Sequence, residues 1–145
     1  MTLPPVARFA SVDELLDDAR SRLDRLTPHD AAAAVAGGSL LVDIRPQWQR
    51  AEAGEIPGAL IVERNHLEWR LHPTSEARVP QAVAGQQWIV VCTEGYTSSL
   101  AADALTSIGV PATDVVGGFV AWQAAGLPTV ARVTPPDTVS PHLPA

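Results

Sequence analysis

Short apolar runs alternate along the chain with segments of helical pattern, and this alternation constrains the fold more than any other feature. The run Leu40–Val42 ends in polar residues, and the run Trp88–Val91 ends in a cysteine. Strands that alternate with helices favour parallel pairing, with the helices packed on both faces of the sheet. The sequence therefore predicts an α/β fold built on a mostly parallel sheet.

A further helix is predicted ahead of this sheet. Ser11 and Glu14 form a capping-box pattern, and an apolar stripe then runs from Val12 to about Leu23. Because a surface helix buries its apolar stripe, we expect this helix to dock on the main domain.

Changes in composition divide the chain into three parts. These are an N-terminal arm and packing helix (residues 1–24), a main domain (residues 25–130) and a proline-rich C-terminal tail (residues 131–145). Proline-rich segments without an apolar period are extended or disordered, and we expect this of the tail.

Composition and charge exclude several classes of function. With 145 residues, 46% of them hydrophobic, the chain can fill one core without disulfides or metals. Its single cysteine excludes an internal disulfide and a cysteine-rich zinc site, so we predict no metal and no cofactor. The net charge of −6 argues against nucleic-acid binding. With no signal-peptide pattern and no membrane-spanning run, we expect no membrane association and a cytoplasmic location.

The position of the single cysteine, Cys92, is typical of a reactive thiol. It follows an apolar strand, and the loop Thr93–Ser98, which contains a glycine, leads from it into a helical pattern. This order places the sulfur inside a ring of backbone N–H groups and near the positive end of a helix. Both features favour a thiolate over a thiol, so we predict a nucleophile. Asp43 and Arg45, at the end of another strand, should open onto the same edge of the sheet.

Five stretches, taken together, resemble a single-domain rhodanese from about residue 26 to residue 128. They are residues 41–45, 54–59, 89–99, 105–109 and 114–122. The resemblance implies a three-layer fold with a five-stranded, mostly parallel sheet. It also implies sulfur transfer.

In such a reaction Cys92 would take the outer sulfur of a donor of the thiosulfate, mercaptopyruvate or persulfide type and become a persulfide. A thiol, cyanide or a sulfur-accepting protein would then remove that sulfur. The resemblance assigns the binding of sulfur to the loop residues Thr93, Glu94, Gly95, Tyr96, Thr97 and Ser98, mainly through N–H groups. Hydroxyl groups of Thr97 and Ser98 are expected to add hydrogen bonds. Asp43 and Arg45 are expected to support the site, and Arg64 to reach its mouth.

Two positions depart from the family pattern. Glu55 stands where the family often has histidine, and we expect this difference to be structural. The loop carries no arginine or lysine, and Glu94 adds a negative charge beside the site. An anionic donor would be repelled there, so thiosulfate is predicted to be a poor donor.

Two other functions compete with sulfur transfer. Phosphatases and arsenate reductases of the same fold have a longer loop, with an arginine where Ser98 stands here, so this alternative is disfavoured. A low-turnover sulfur-relay or regulatory protein-binding module is the second alternative. The presence of Cys92 argues against a binding module that has no catalytic activity.

Overall fold

The structure, a computed structural model, describes residue 2 and residues 5–142. Residues 1, 3, 4 and 143–145, which belong to the predicted arm and tail, lie outside the described residues. The helices are α1 (Val12–Arg20), α2 (Pro28–Ala36), α3 (Gln47–Ala53), α4 (Leu67–Leu71), α5 (Thr97–Ser107) and α6 (Gly118–Ala124), with a 3₁₀ turn at Arg64–His66. The strands are β1 (Leu40–Asp43), β2 (Leu60–Ile61), β3 (Trp88–Val91) and β4 (Ala112–Asp114).

The sheet is parallel throughout, with the strand order β2-β1-β3-β4. The predicted α/β class is confirmed, but the described residues form four strands rather than five. In place of a fifth strand, Leu26 makes one isolated parallel bridge to Val115. Pairing stops there because the next residue, Thr27, caps α2, and its side chain accepts a hydrogen bond from the Asp30 N–H.

Two apolar clusters cover the two faces of the sheet, as the alternation of side chains along a strand requires. Val90 and Cys92 belong to the cluster that also contains residues of α4 and α5. Ile89 and Val91 belong to the other cluster, with Phe119 of α6. The cysteine side chain therefore leaves the sheet on the α5 face.

Helix α1 packs on the main domain through α5. The predicted cap is confirmed, since the Ser11 hydroxyl accepts a hydrogen bond from the Glu14 N–H at 3.1 Å. Leu16 and Ala19 are buried, but Val12 is 71% exposed, so its prediction as a docking residue was wrong. The buried stripe is short, because the helix ends at Arg20 and packs mainly on α5.

The described part of the C-terminal tail, which reaches residue 142, is extended and runs along the free edge of β2. Antiparallel bridges join Val130 to Glu55 and Val139 to Leu60. Thr134 is 5% exposed and Ser140 is fully buried. The tail therefore covers an edge strand that would otherwise present unpaired backbone groups to solvent.

The helices of residues 2 and 5–142 are all too short or too polar to cross a bilayer.

Candidate active site

The parallel register brings the two predicted functional segments to one edge of the sheet. Asp43, the last residue of β1, pairs with Val91, the last residue of β3, and Cys92 follows directly. A pocket of about 340 Å³ opens at this edge. Its lining residues are Ile44, Arg45, Pro46, Gln49, Cys92, Thr93, Glu94, Tyr96 and Thr97. No group of three or more histidine, cysteine, aspartate or glutamate residues suited to a metal occurs in the described part of the chain.

The sulfur of Cys92 lies at the base of this pocket and is surrounded by backbone donors. The side chain is 4% exposed. Its Sγ atom accepts hydrogen bonds from the N–H groups of Gly95 at 3.2 Å and Ser98 at 3.4 Å. The N–H groups of Glu94 and Tyr96 donate to no protein acceptor among the described residues. They remain available for a bound anion.

Glycines allow the loop to close around the sulfur. Gly95 has a φ of 86°, and a Cβ atom there would lie 2.9 Å from the Gly117 nitrogen. Gly118 has a φ of 60°, and its Cβ would lie 2.5 Å from the Cys92 carbonyl oxygen. That same oxygen accepts the Phe119 N–H at 2.8 Å. The start of α6 therefore presses directly on the back of the loop, where only glycine fits.

The side chain of Asp114, at the end of β4, binds residues at the end of the loop and the start of α5. Asp114 is fully buried. Its Oδ2 atom accepts the hydroxyl groups of Ser98 at 2.7 Å and Ser99 at 2.8 Å. The Ser98 hydroxyl was expected to face the sulfur, and that expectation was wrong because the buried carboxylate is the stronger acceptor. Of the polar groups of Ser98, the backbone N–H is the one that contacts the sulfur.

Two arginines from outside the loop bind its main chain. Arg20, the last residue of α1, donates to the Gly95 carbonyl oxygen at 2.7 Å and to the Ser99 hydroxyl at 3.1 Å. Arg25 donates to the same carbonyl at 3.0 Å and forms an ion pair with Asp114 at 2.8 Å. Arg20, Arg25 and Asp114 were not predicted as site residues from the sequence.

Asp43 and Arg45 form a buried ion pair beside the pocket. Both are buried, and the guanidinium group donates to the carboxylate at 2.7 Å and to the Gly54 carbonyl oxygen at 2.8 Å. It also stacks on the Phe119 ring, 4.0 Å from the centroid. Arg45 thus ties the end of β1 to the turn after α3 and to α6.

Arg64 does not line the pocket that contains Cys92. It forms an ion pair with Glu68 at 2.8 Å and is partly exposed. It lines a neighbouring pocket of about 620 Å³, which shares Ile44 and Pro46 with the first. Arg64, which was expected at the mouth of the site, therefore lies at the adjoining pocket instead.

Glu55, the departure from the family pattern, has the structural role that was expected. It is fully buried and pairs with Arg50 at 2.5 Å. The Thr134 hydroxyl, at 2.5 Å, and the Ser140 hydroxyl, at 3.2 Å, donate to it from the tail. Burial raises the pKa of Glu55, but the hydrogen bonds from Thr134 and Arg50 outweigh burial and hold it below its ordinary value.

Comparison with known proteins places this fold and site in one family. The family model for the rhodanese-like domain matches residues 27–125. The chain belongs to the rhodanese-like domain family.

Its relatives include sulfurtransferases. The adenylyltransferase and sulfurtransferase UBA4 of Yarrowia lipolytica is 28% identical over 98 residues, which are 68% of this chain but 23% of that protein. A thiosulfate sulfurtransferase from Pseudomonas aeruginosa has 27% identity and a TM-score of 0.58, over 75% of this chain and 19% of the other. The chain therefore spans about a quarter or less of the length of these two relatives.

A protein of unknown function from Rhodopseudomonas palustris, described as a possible tyrosine phosphatase, matches over a larger share of both chains. It is 31% identical, with a TM-score of 0.77, over 89% of this chain and all of the other.

Proposed function

We propose that this protein is a sulfurtransferase that carries sulfur as a persulfide on Cys92. The position of the Cys92 Sγ atom supports this most strongly. The Sγ atom lies in an open pocket and accepts hydrogen bonds from two N–H groups of the loop. A thiolate or a terminal persulfide sulfur is an anion, and preorganised N–H groups stabilise such a charge.

The reaction consists of two displacements at sulfur. The Cys92 thiolate attacks the outer sulfur of the donor, the sulfur–sulfur or carbon–sulfur bond of the donor breaks, and its electron pair leaves with the departing group. With thiosulfate the departing group is sulfite. An acceptor thiolate or cyanide then attacks the terminal sulfur of the persulfide, and Cys92 leaves as a thiolate. No net oxidant or reductant is needed.

Phosphatase chemistry, which the description of the Rhodopseudomonas relative raises, finds less support in this loop. Residues 93–98 contain no cation, and Ser98 stands where phosphatases of this fold have arginine. Arg45, which lines the pocket, has its charge paired with the Asp43 carboxylate, although its buried Nη1 atom has no hydrogen-bond partner among the described residues. An assay with an aryl phosphate should give no turnover above that of Cys92→Ser.

A sulfur-relay or regulatory binding module remains the alternative function, and the rim of the pocket favours it. Tyr96, which lines the pocket, is 59% exposed, and Trp48, between the lining residues Pro46 and Gln49 in sequence, is 62% exposed. Exposed aromatic side chains are typical of surfaces that dock a protein partner.

Intact mass after exposure to a sulfur donor tests the proposal. Wild-type protein should gain one sulfur atom from at least one of thiosulfate, 3-mercaptopyruvate and polysulfide, and Cys92→Ser should gain none. If wild-type protein gains sulfur from none of the three donors, the binding module is favoured.

A further inference from the structure

We propose that Arg20, assisted by Arg25, is a positioning residue for the sulfur site. It supplies from α1 both the orientation of the loop and the positive charge that the loop itself lacks. The role of Arg20 in sulfur transfer rests on the proposed function. The contacts between Arg20 and the loop do not depend on that function.

The first argument is the shared acceptor. The guanidinium groups of Arg20 and Arg25 both donate to the carbonyl oxygen of Gly95, at 2.7 Å and 3.0 Å. That oxygen belongs to the peptide between Gly95 and Tyr96. In a planar trans peptide the C=O and N–H bonds point in opposite directions. Anchoring the oxygen to the arginines therefore turns the Tyr96 N–H away from them, and this N–H has no protein acceptor among the described residues.

The second argument is charge. Arg25 is neutralised by its ion pair with Asp114, whereas Arg20 forms no ion pair within the described part of the chain. Its other contacts are the Ser99 hydroxyl and the face of the Tyr96 ring, 5.7 Å from the centroid. An uncompensated cation thus lies directly behind a loop whose only charged side chain is Glu94.

The distance is short enough for that charge to attract an anion that approaches the sulfur. Arg20 is 2.7 Å from the Gly95 oxygen, and the Gly95 nitrogen is 3.2 Å from Sγ. With ordinary backbone dimensions the guanidinium group lies within about 10 Å of Sγ. This is about one Debye length at an ionic strength of about 0.1 M, and protein rather than water fills much of the path, so screening is incomplete.

The position of Arg20 also explains why α1 is attached to this domain. The family match begins at residue 27, so both arginines lie outside it. Helix α1 packs on α5, the helix that follows the loop, and ends at the residue that binds the loop. The extension is therefore part of the site.

Alkylation of Cys92, the single cysteine, tests this without any sulfur donor. Rates with anionic iodoacetate and neutral iodoacetamide are measured by intact mass at pH 7 for wild type, Arg20→Gln, Arg20→Lys and Arg22→Gln. Arg22 is the matched control, because its loss changes the net charge equally while its ion pairs are with Asp18 and Asp103, away from the loop. Circular dichroism confirms that each variant is folded.

The ratio of the iodoacetate rate to the iodoacetamide rate should fall about threefold to tenfold in Arg20→Gln. It should remain near the wild-type value in Arg20→Lys and Arg22→Gln. A purely structural role would slow both reagents equally and leave the ratio unchanged, which would overturn the proposal. An equal fall of the ratio in Arg22→Gln would also overturn it, by showing a general effect of net charge. Because alkylation requires no sulfur transfer, failure of the proposed function would leave this result interpretable.

Discussion

At the scale of single residues, the site depends on a balance of charges around one sulfur atom. The N–H groups of Gly95 and Ser98, which donate to Sγ, and the cation of Arg20 behind the loop favour the binding of an anion at this position. Glu94, exposed on the loop and lining the pocket, opposes it. Because Glu94 faces the entering substrate and Arg20 lies behind the loop, the carboxylate should affect the choice of donor most.

Glu94→Gln should therefore raise kcat/KM for thiosulfate, by about twofold to fivefold for an exposed charge. The reason is the loss of repulsion between the carboxylate and a dianionic donor. Steady-state kinetics with cyanide as acceptor measures the effect. Glu52→Gln, an exposed glutamate on α3 that does not line the pocket, is the control with the same change of net charge. Efficient thiosulfate turnover by wild type with no gain in Glu94→Gln would contradict this account of the loop.

At the scale of elements, the C-terminal tail acts as an added edge strand with a buried polar anchor. Thr134 provides two donors to Glu55, its N–H at 2.9 Å and its hydroxyl at 2.5 Å. Glu55 pairs with Arg50, which in turn donates to the Arg45 carbonyl oxygen at 3.3 Å. The tail is thereby linked to a residue that lines the pocket.

Thr134→Val should lower the free energy of unfolding by about 1–3 kcal/mol, because it leaves a buried carboxylate short of one hydrogen bond. Thr138→Val is the control, since that exposed hydroxyl donates only to the Pro136 carbonyl, at 3.5 Å. Urea unfolding compares the two variants. Equal stability of both would show that the anchor in the tail contributes nothing.

The elements also show what can be predicted from the sequence and what cannot. Strand periodicity and the position of Cys92 after β3 depend on local pattern, so the sheet and the pocket were predictable. The hydrogen bond from Arg20 to Gly95 spans 75 residues, and the ion pair from Arg25 to Asp114 spans 89. The sequence around Arg20 and Arg25 does not distinguish them from arginines that are exposed to solvent.

The tail was difficult to predict for a different physical reason. Proline content indicates extended chain, but it does not show which surface that chain will bind. The burial of Glu55 depends on hydroxyl groups of Thr134 and Ser140, about eighty residues later in the chain. Glu55 itself lies in the short connection between α3 and β2, and a carboxylate in a connecting segment is ordinarily exposed.

At the scale of the whole molecule, the buried pair of Arg50 and Glu55 makes stability depend on pH. The pKa of Glu55 is lower in the folded protein than its ordinary value of 4.5. A depressed carboxylate pKa stabilises the fold above the unfolded value, and this stabilisation is lost as the pH falls through the folded value.

Wild type should therefore be more stable than Glu55→Gln at pH 7, by about 3 kcal/mol for a buried ion pair that has lost one partner. The difference should shrink as the pH is lowered through and below 4.5. Chemical unfolding of both proteins between pH 7 and pH 3 measures it. A difference that stays constant over this range would contradict the assignment of the charge to Glu55.

The central claim, that Cys92 accepts and then releases sulfur, is tested most directly by a single turnover. Protein loaded with sulfur from polysulfide is freed of donor and mixed with cyanide, and both intact mass and thiocyanate are measured. We predict that the mass returns to that of the unmodified chain while one thiocyanate forms for each sulfur lost. Sulfur that stays on the protein, or thiocyanate formed equally with Cys92→Ser, would contradict the account.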